Sequence, residues 1–209
     1  VKNFVKKVFS RRANRPQEYL QILEAREAGR SLSRDDENLL WSVFQFAKEA
    51  HEGQKRKSGL DFFEHPYQTA MILARMSMDP VTIAGGLLHD VVEDTDYTKK
   101  DIEERFGEEV ARLVEGVTKI TDIEFHSREH KQAQYFRRML LSVAKDIRVL
   151  LIKLANRLHN MRTLEHMPET TQRRIALETR DVYAPLAHRL GMYKLKAELE
   201  DLVLKTLHP

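Results

Sequence analysis

Residues 79–95 of the chain read DPVTIAGGLLHDVVEDT, and they carry the strongest indications of fold and chemistry in the sequence. Asp79 is a favourable helix N-cap, and Pro80 is favourable in the first turn of a helix, so the two residues together predict a helix start. The apolar residues that follow recur at helical spacing and predict one central helix over residues 81–93. The buried side of that helix would consist of Ile83, Leu87, Leu88, Val91 and Val92.

The same stretch carries four ionisable residues, His89, Asp90, Glu93 and Asp94. On a straight helix they fall at about 0°, 100°, 40° and 140°, so they share one arc. Three carboxylates on one arc repel one another unless a cation or solvent screens them, and a neighbouring imidazole supplies a nitrogen ligand. The pattern therefore fits a divalent metal site, and the alternative is a solvated acidic helix end.

The rest of the chain also has helical period, and no segment alternates apolar and polar residues as a strand does. We therefore predict an all-α fold, a bundle of about ten helices. Ser33 and Thr98 are expected N-caps because acidic residues follow them in the first turn. Further predictions are a helix over residues 1–9, a loop over 120–130, a helix over 132–144, and a helix over 169–190 that bends at Pro185.

The composition limits the possible functions. Lys and Arg total 35 against 32 for Asp and Glu, so the chain lacks the strong positive charge that non-specific nucleic-acid binding needs. A basic run near the N-terminus is the one feature that favours RNA binding, and it comprises Lys6, Lys7, Arg11, Arg12 and Arg15. There is no cysteine, and no stretch reads as a signal peptide or membrane span, so we expect a cytoplasmic protein without contact to a membrane.

Two further segments carry polar residues at informative positions. His65 stands immediately before Pro66, which is expected in the first turn of a helix. Lys153, Asn156, Asn160 and Thr163 are spaced by three, four and three residues, so on a helix they form one polar stripe. Such a stripe between apolar flanks predicts the wall of a cavity, although taken alone it is also typical of a helix face in water.

These residues together resemble a known family. His65, the pair His89-Asp90, and Asn156 are similar to the H…HD…D ligand set of HD-domain phosphohydrolases. The surrounding sequence resembles the N-terminal hydrolase domain of RelA/SpoT alarmone enzymes. The resemblance rests on residues 50–59 (AHEGQKRKSG), 87–95 (LLHDVVEDT), 116–119 (GVTK), 152–163 (IKLANRLHNMRT) and 183–191 (YAPLAHRLG).

The resemblance implies a domain organisation. It implies an N-terminal helical extension over residues 1–32 and an HD hydrolase core over residues 33–165. Residues 166–209 would form C-terminal helices that pack on this core and lead toward a synthetase domain outside this chain.

It also implies a role for individual residues. One Mn²⁺ would be held by His65, His89, Asp90 and Asn156. Glu93 and Asp94 match the acidic pair that orients or deprotonates the attacking water. Guanosine tetra- or pentaphosphate would contact Arg56, Lys57, Ser58, Asn160, Thr163 and Met167, with the Arg56 guanidinium stacked on guanine.

The function implied is Mn²⁺-dependent hydrolysis of the 3′-pyrophosphate of guanosine tetra- or pentaphosphate, in control of the stringent response. The main alternative is a catalytically weakened or silent HD regulatory domain that binds guanine nucleotide or contacts an attached synthetase. Another alternative is an HD phosphohydrolase for a different nucleotide, against which residues 56–58 argue.

The sequence departs from the family pattern at two positions. Asn156 stands where the family has aspartate, and its uncharged amide oxygen should bind a dication less tightly than a carboxylate does. Phe62 keeps the aromatic ring of the family's tyrosine but lacks the hydroxyl.

Overall fold

The computed structural model describes residues 15–27, 32–121 and 145–209, which form helices joined by turns, and no β-strand occurs among them. The predicted all-α fold of about ten helices is confirmed. The helices are α1 (Gln17–Glu27), α2 (Arg34–Ala50), α3 (Glu64–Arg75), α4 (Pro80–Leu88), α5 (Val91–Asp94), α6 (Lys99–Phe106), α7 (Glu108–Thr121), α8 (Ile147–Arg162), α9 (Glu169–Glu178), α10 (Ala184–Arg189) and α11 (Tyr193–Leu207), with a 3₁₀ turn over Leu164–His166 and a π-turn over Thr179–Tyr183.

The helix starts expected from the sequence are confirmed. Ser33 and Thr98 each form a capping box with an aspartate three residues later, at the start of α2 and α6. Asp79 accepts a hydrogen bond from the backbone N–H of Thr82, and Pro80 is the first residue of α4. These caps satisfy N–H groups that the first helical turn leaves without an intrahelical partner.

Helix α4 lies at the centre of the fold and packs against α2, α3, α7 and α8. Every residue from 82 to 88 is buried, and Ile83, Leu87 and Leu88 are completely inaccessible to solvent. Burying one such side chain contributes roughly 1.5–3 kcal/mol, so α4 is a main source of core stability.

Two glycines let neighbouring helices approach α4 closely. A Cβ on Gly86 would lie 2.6 Å from Leu73 Cδ1 of α3, and a Cβ on Gly85 would lie 2.9 Å from Ile152 Cδ1 of α8. Both distances are shorter than real Cβ contacts, so a side chain at either position would displace its neighbour. The close approach brings the first turn of α3 to the C-terminal end of α4.

The prediction of one continuous helix over residues 81–93 is wrong. Helix α4 ends at Leu88, and a separate turn of helix, α5, begins at Val91. The carbonyl oxygen of Asp90 accepts hydrogen bonds from the N–H groups of Glu93, at 3.1 Å, and Asp94, at 2.8 Å. Asp90 therefore caps a new helical turn. Hydrophobic periodicity did not reveal the break because both segments keep helical spacing on either side of it.

Residues 169–190 form two helices separated by the π-turn, which ends just before Pro185, and the bend at Pro185 stays a prediction. The N–H of Ala184 donates to the carbonyl of Thr179, five residues earlier. Proline cannot donate a backbone hydrogen bond and its ring crowds the preceding turn, so the wider turn accommodates it. Helix α11 then packs against α8, α9 and α10.

Some predictions fall outside the described residues. These are the helix over residues 1–9, the helix over 132–144, most of the loop over 120–130, and Lys6, Lys7, Arg11 and Arg12 of the basic run. Residues 120 and 121 belong to α7, so that part of the loop prediction is wrong. Arg15 lies over the ring of Trp41, with its guanidinium carbon 3.7 Å from the ring centroid. In the described residues, no helix is both long and apolar enough to cross a membrane.

Candidate metal centre and active site

His65, His89 and Asp90 meet where the first turn of α3 reaches the end of α4. Each offers one potential ligand atom, and these atoms lie within 4.8 Å of one another. The Nε2 atom of His65 is 3.4 Å from Asp90 Oδ2, and the Nε2 atom of His89 is 3.0 Å from Asp90 Oδ1. The two imidazoles thus flank one carboxylate. Three of the four predicted ligands are therefore close together.

His89 is held by a hydrogen bond through one ring nitrogen, and its other ring nitrogen has no hydrogen-bond partner. Its Nδ1 lies 2.8 Å from the carbonyl oxygen of Gly86, and because that oxygen can only accept, Nδ1 is the donor. The Nε2 atom is buried and has no hydrogen-bond partner. Its neighbour at 3.0 Å, Asp90 Oδ1, is an acceptor. In the neutral tautomer with the proton on Nδ1, His89 Nε2 is an acceptor too, and two acceptors that face each other in a largely buried site are costly unless a cation lies beside both.

The electrostatics of the cluster favour the protonation states that a metal site needs. Burial lowers the pKa of His65 well below its usual value, so its ring is neutral. Burial alone would raise the pKa of Asp90, but the polar and charged groups around it, which are His89, His65 and the buried Lys153, hold that pKa below its usual range. Neutral imidazoles and an ionised carboxylate are the forms that coordinate a divalent ion. Nitrogen and oxygen donors together suit Mn²⁺, Fe²⁺ or Zn²⁺ better than Mg²⁺.

Glu93 and Asp94 occupy α5, directly after the cluster, and both are exposed. Partial burial of the carboxyl group and the nearby charge of Asp90 raise the pKa of Asp94 above that of an ordinary aspartate. A short chain of hydrogen bonds also holds this turn. Gln54 donates from Nε2 to the carbonyl oxygen of Asp94 at 2.8 Å, and its Oε1 lies 2.8 Å from Nδ1 of the buried His51.

Arg56 lies on a tight turn between α2 and α3, and its side chain extends toward the cluster of His65, His89 and Asp90. Its backbone N–H donates to Leu60 O at 2.9 Å, and its carbonyl accepts from Gly59 N at 2.9 Å. Gly59 has φ +83°, a conformation that glycine adopts without strain. The half-buried Arg56 side chain places Nη1 3.5 Å from His159 Nδ1. Lys57 and Ser58 lie on the same turn, and their contact with nucleotide stays a prediction.

The predicted stripe on α8 is partly buried, and two of its members pair with each other. Asn160 donates from Nδ2 to Asn156 Oδ1 at 2.6 Å, which leaves one lone pair of that oxygen for another partner. Thr163 donates to the carbonyl oxygen of His159 at 3.2 Å. Met167 is half-buried after the 3₁₀ turn, and its carbonyl accepts from Gln172. The roles of Asn156, Asn160, Thr163 and Met167 at the site stay predictions.

Three further residues contact the site, although none of them was assigned a role from the sequence; they are His159, His51 and Gln54. His159 lies on α8 with its Nδ1 2.6 Å from Nδ1 of His65. The sequence signal for His159 was its position three residues after Asn156, which puts it near the polar stripe. No spacing within one helix could show that it meets a histidine 94 residues away.

The comparisons with known proteins agree with this geometry. The HD domain family model matches residues 43–193, which include the whole cluster and both polar segments. The chain therefore belongs to the HD-domain family.

Two similar proteins indicate where the chain belongs within the HD-domain family. The chain is 53% identical over 171 residues to a probable guanosine-3′,5′-bis(diphosphate) 3′-pyrophosphohydrolase of Synechocystis, with 82% of the chain and 22% of that protein covered. It is 48% identical over 178 residues to the bifunctional (p)ppGpp synthase/hydrolase SpoT of Escherichia coli, with 85% and 25% covered. These matches confirm the resemblance to RelA/SpoT enzymes, and the chain spans about a quarter of the length of these relatives.

A solved structure is similar as well. It is described as a metazoan ortholog of SpoT that hydrolyzes ppGpp, and it superposes with a TM-score of 0.57 at 26% identity. The superposition covers 85% of this chain and 97% of that one. The metazoan protein is thus close in extent to the part of the chain that it matches.

Proposed function

We propose that this chain hydrolyses the 3′-pyrophosphate of guanosine tetra- and pentaphosphate and releases pyrophosphate with GDP or GTP. The observation that carries the proposal is the cluster of His65, His89 and Asp90, in which the buried His89 Nε2 has no hydrogen-bond partner. The choice of substrate is supported by the names of the Synechocystis and Escherichia coli relatives.

We propose Mn²⁺ as the metal, with His65, His89 and Asp90 as ligands and the amide oxygen of Asn156 as a fourth. A divalent ion at this position neutralises phosphate charge and lowers the pKa of nearby water. Manganese accepts both imidazole nitrogen and carboxylate oxygen, which are the donors that the cluster offers.

The basic turn is proposed to bind the nucleotide. Arg56 presents a planar guanidinium next to the cluster, and such a group can stack on guanine or donate to phosphate. Lys57 is exposed and Ser58 half-buried on the same turn, where an ammonium and a hydroxyl can meet phosphate oxygens. Asn160, Thr163 and Met167 would line the nucleoside side of the pocket from α8 and the residues after it.

The acidic pair is proposed to move protons. The water oxygen bonds to the phosphorus attached to the 3′ oxygen, the bond between that phosphorus and the 3′ oxygen breaks, and the 3′ oxygen takes up a proton. Glu93 would accept the proton of the water. Asp94, beside Glu93 on α5, would help to orient the water, and the proton that Glu93 takes up would pass on to the leaving 3′ oxygen.

The proposal is tested with the metal-free chain, guanosine tetraphosphate and added Mn²⁺. We expect GDP and pyrophosphate in equal amounts, no turnover without metal, and poor turnover with Mg²⁺ alone. An Asp90→Asn chain is the control for contaminating phosphatase. A chain that binds the nucleotide in the presence of Mn²⁺ but releases no pyrophosphate would instead be a silent regulatory domain.

We further propose that the chain acts as one unit of a longer cytoplasmic protein in the stringent response. The Escherichia coli relative is named as both synthase and hydrolase, and the match covers a quarter of it. A synthetase domain elsewhere in the parent protein is the expected partner.

A further inference from the structure

His159 is a buried histidine in contact with one candidate metal ligand, His65, and one candidate nucleotide-binding residue, Arg56. Its Nδ1 lies 2.6 Å from His65 Nδ1 and 3.5 Å from Arg56 Nη1. The rings of His65 and His159 are 4.9 Å apart between centroids. One nitrogen of His159 therefore faces a metal-ligand candidate and a nucleotide-binding candidate together.

The positions of the protons follow from this geometry. A separation of 2.6 Å between two ring nitrogens requires that one of them carries a proton and donates it to the other. Arg56 can only donate, so it favours His159 Nδ1 as the acceptor. The donor is then Nδ1 of His65, and a neutral His65 with its proton on Nδ1 has a bare Nε2. That Nε2 is the atom facing Asp90 at 3.4 Å.

We propose that His159 is a positioning residue that fixes His65 in the tautomer with Nε2 free for the metal. Metal-bound histidines usually donate their second ring N–H to a neighbouring acceptor, which sets the tautomer and the ring orientation. The carbonyl of Gly86 does this for His89, and His159 does it for His65. The inference deepens the proposed function and rests on it for the identity of the metal ligands.

His159 is itself held in place. It lies on α8, and α8 packs against both α3, which carries His65, and α4. Only 5% of its surface is exposed, so its ring has little freedom to turn away. An imidazole that merely filled space would be replaceable by an apolar side chain of similar size, whereas an acceptor for His65 would not.

The first measurement uses the metal-free parent chain above neutral pH. Nitrogen chemical shifts from long-range ¹H–¹⁵N NMR distinguish the two neutral tautomers of each histidine, and a His65→Asn chain identifies the His65 signals. We expect the proton of His65 on Nδ1. A proton on Nε2 in the folded parent would overturn the proposal whatever the variants do.

The second measurement compares two substitutions. His159→Leu keeps the apolar volume and removes the acceptor, whereas His159→Asn places an amide oxygen close to the former Nδ1. We expect Mn²⁺ affinity, measured by calorimetry, to fall about 10- to 100-fold in the leucine chain. The asparagine chain should keep most of the affinity and the Nδ1–H tautomer of His65. His188→Leu, at an exposed histidine, is the matched control.

The outcomes separate this inference from the proposed function. A folded leucine chain that binds Mn²⁺ as tightly as the parent would overturn the role of His159, even if the parent hydrolyses guanosine tetraphosphate. An asparagine chain that folds but loses as much affinity as the leucine chain would do the same. If the leucine chain fails to fold, the parent tautomer and the asparagine chain still decide. A parent that binds Mn²⁺ but cleaves no guanosine tetraphosphate would overturn the proposed function alone.

Discussion

Two parts of the candidate site differ in how their side chains are held. The buried end comprises His65, His89 and Asp90, and the exposed end comprises Glu93 and Asp94. His65, His89 and Asp90 lie where α3 meets the end of α4, and both histidines are at most 4% exposed. Glu93 and Asp94 follow within a few residues on the single turn α5, yet both are exposed. The break at residues 89 and 90 separates these two environments.

The difference in exposure corresponds to two tasks, which are metal binding and contact with the substrate. A metal ligand set needs fixed donor atoms, and packing between helices supplies that rigidity because the interior is dense and resists displacement. Groups that meet a substrate must stay accessible, and α5 provides that access while backbone hydrogen bonds to Asp90 keep it in register. Changes at the buried end should therefore affect metal binding and stability, whereas changes at the exposed end should affect turnover.

The largest expected effect is at the exposed end. Glu93→Gln keeps the shape of the side chain but removes the proton acceptor, so turnover should fall by about 10² or more. Mn²⁺ affinity and thermal stability should stay close to those of the parent. Steady-state release of pyrophosphate at saturating Mn²⁺ measures the first effect, and calorimetry measures the others. Glu104→Gln, at an exposed glutamate of α6, is the control. Equal turnover in parent and Glu93→Gln chains would remove Glu93 from the mechanism.

The next effect concerns the packing that supports the buried end. Gly86→Val would force side-chain atoms into Leu73 and the nearby backbone of Ala70, so the free energy of unfolding should fall by about 2 kcal/mol. Gln45→Val, at an exposed position of α2, should cost under about 0.7 kcal/mol, the range of helix propensity alone. Denaturant unfolding of both chains gives the comparison. Similar losses in the two chains would show that close approach at Gly86 is not required.

Asn156 tests whether the buried cluster extends to α8. If its amide oxygen is a ligand, Asn156→Asp adds a negative charge to the site and should tighten Mn²⁺ binding by about tenfold, or about 1.4 kcal/mol. Hydrolysis at limiting Mn²⁺ should rise, with a smaller change at saturation. Asn38→Asp, near the start of α2, adds the same charge away from the site. An aspartate chain that binds Mn²⁺ no better than the parent would show that Asn156 is not a ligand.

The smallest expected effect is at Arg56, on the turn between α2 and α3. Arg56→Ala should weaken binding of guanosine tetraphosphate by about 1 kcal/mol if the guanidinium stacks on the base. Calorimetry in the presence of Mn²⁺, with a chain made inactive at Glu93, measures the affinity without turnover. Arg189→Ala, at an exposed arginine of α10, is the control. Unchanged affinity would mean that Arg56 is an ordinary arginine of the turn.

Several local features could be predicted from the sequence because their causes are local. The N-caps at Ser33, Asp79 and Thr98 depend on residues three positions apart, and the structure has all three. The break at His89 and Asp90 could not be predicted in this way. Apolar period persists across it, and the break depends on how α4 and α5 pack against other helices.

Some residues of the candidate site could also be predicted from the sequence, whereas several of its contacts could not. The pair His89-Asp90 and the acidic residues after it were evident as a motif, and the family resemblance added His65 and the basic turn. Three features were not evident from the sequence: the contact of His159 with His65, the absence of a hydrogen-bond partner for Nε2 of His89, and the hydrogen bonds of Gln54. Each depends on atoms that only the packing of separate segments brings together.

Capping, periodicity and short motifs are properties of neighbouring residues, so the helical class, the helix starts and the family could be predicted from the sequence. Tertiary packing was needed to show which side chains share the site and which ring nitrogens lack a hydrogen-bond partner. Those features depend on the close approach of α3 and α8 to the glycines of α4. Distances across such a contact are set by the shapes of all the packed side chains together, and no local pattern along the chain records them.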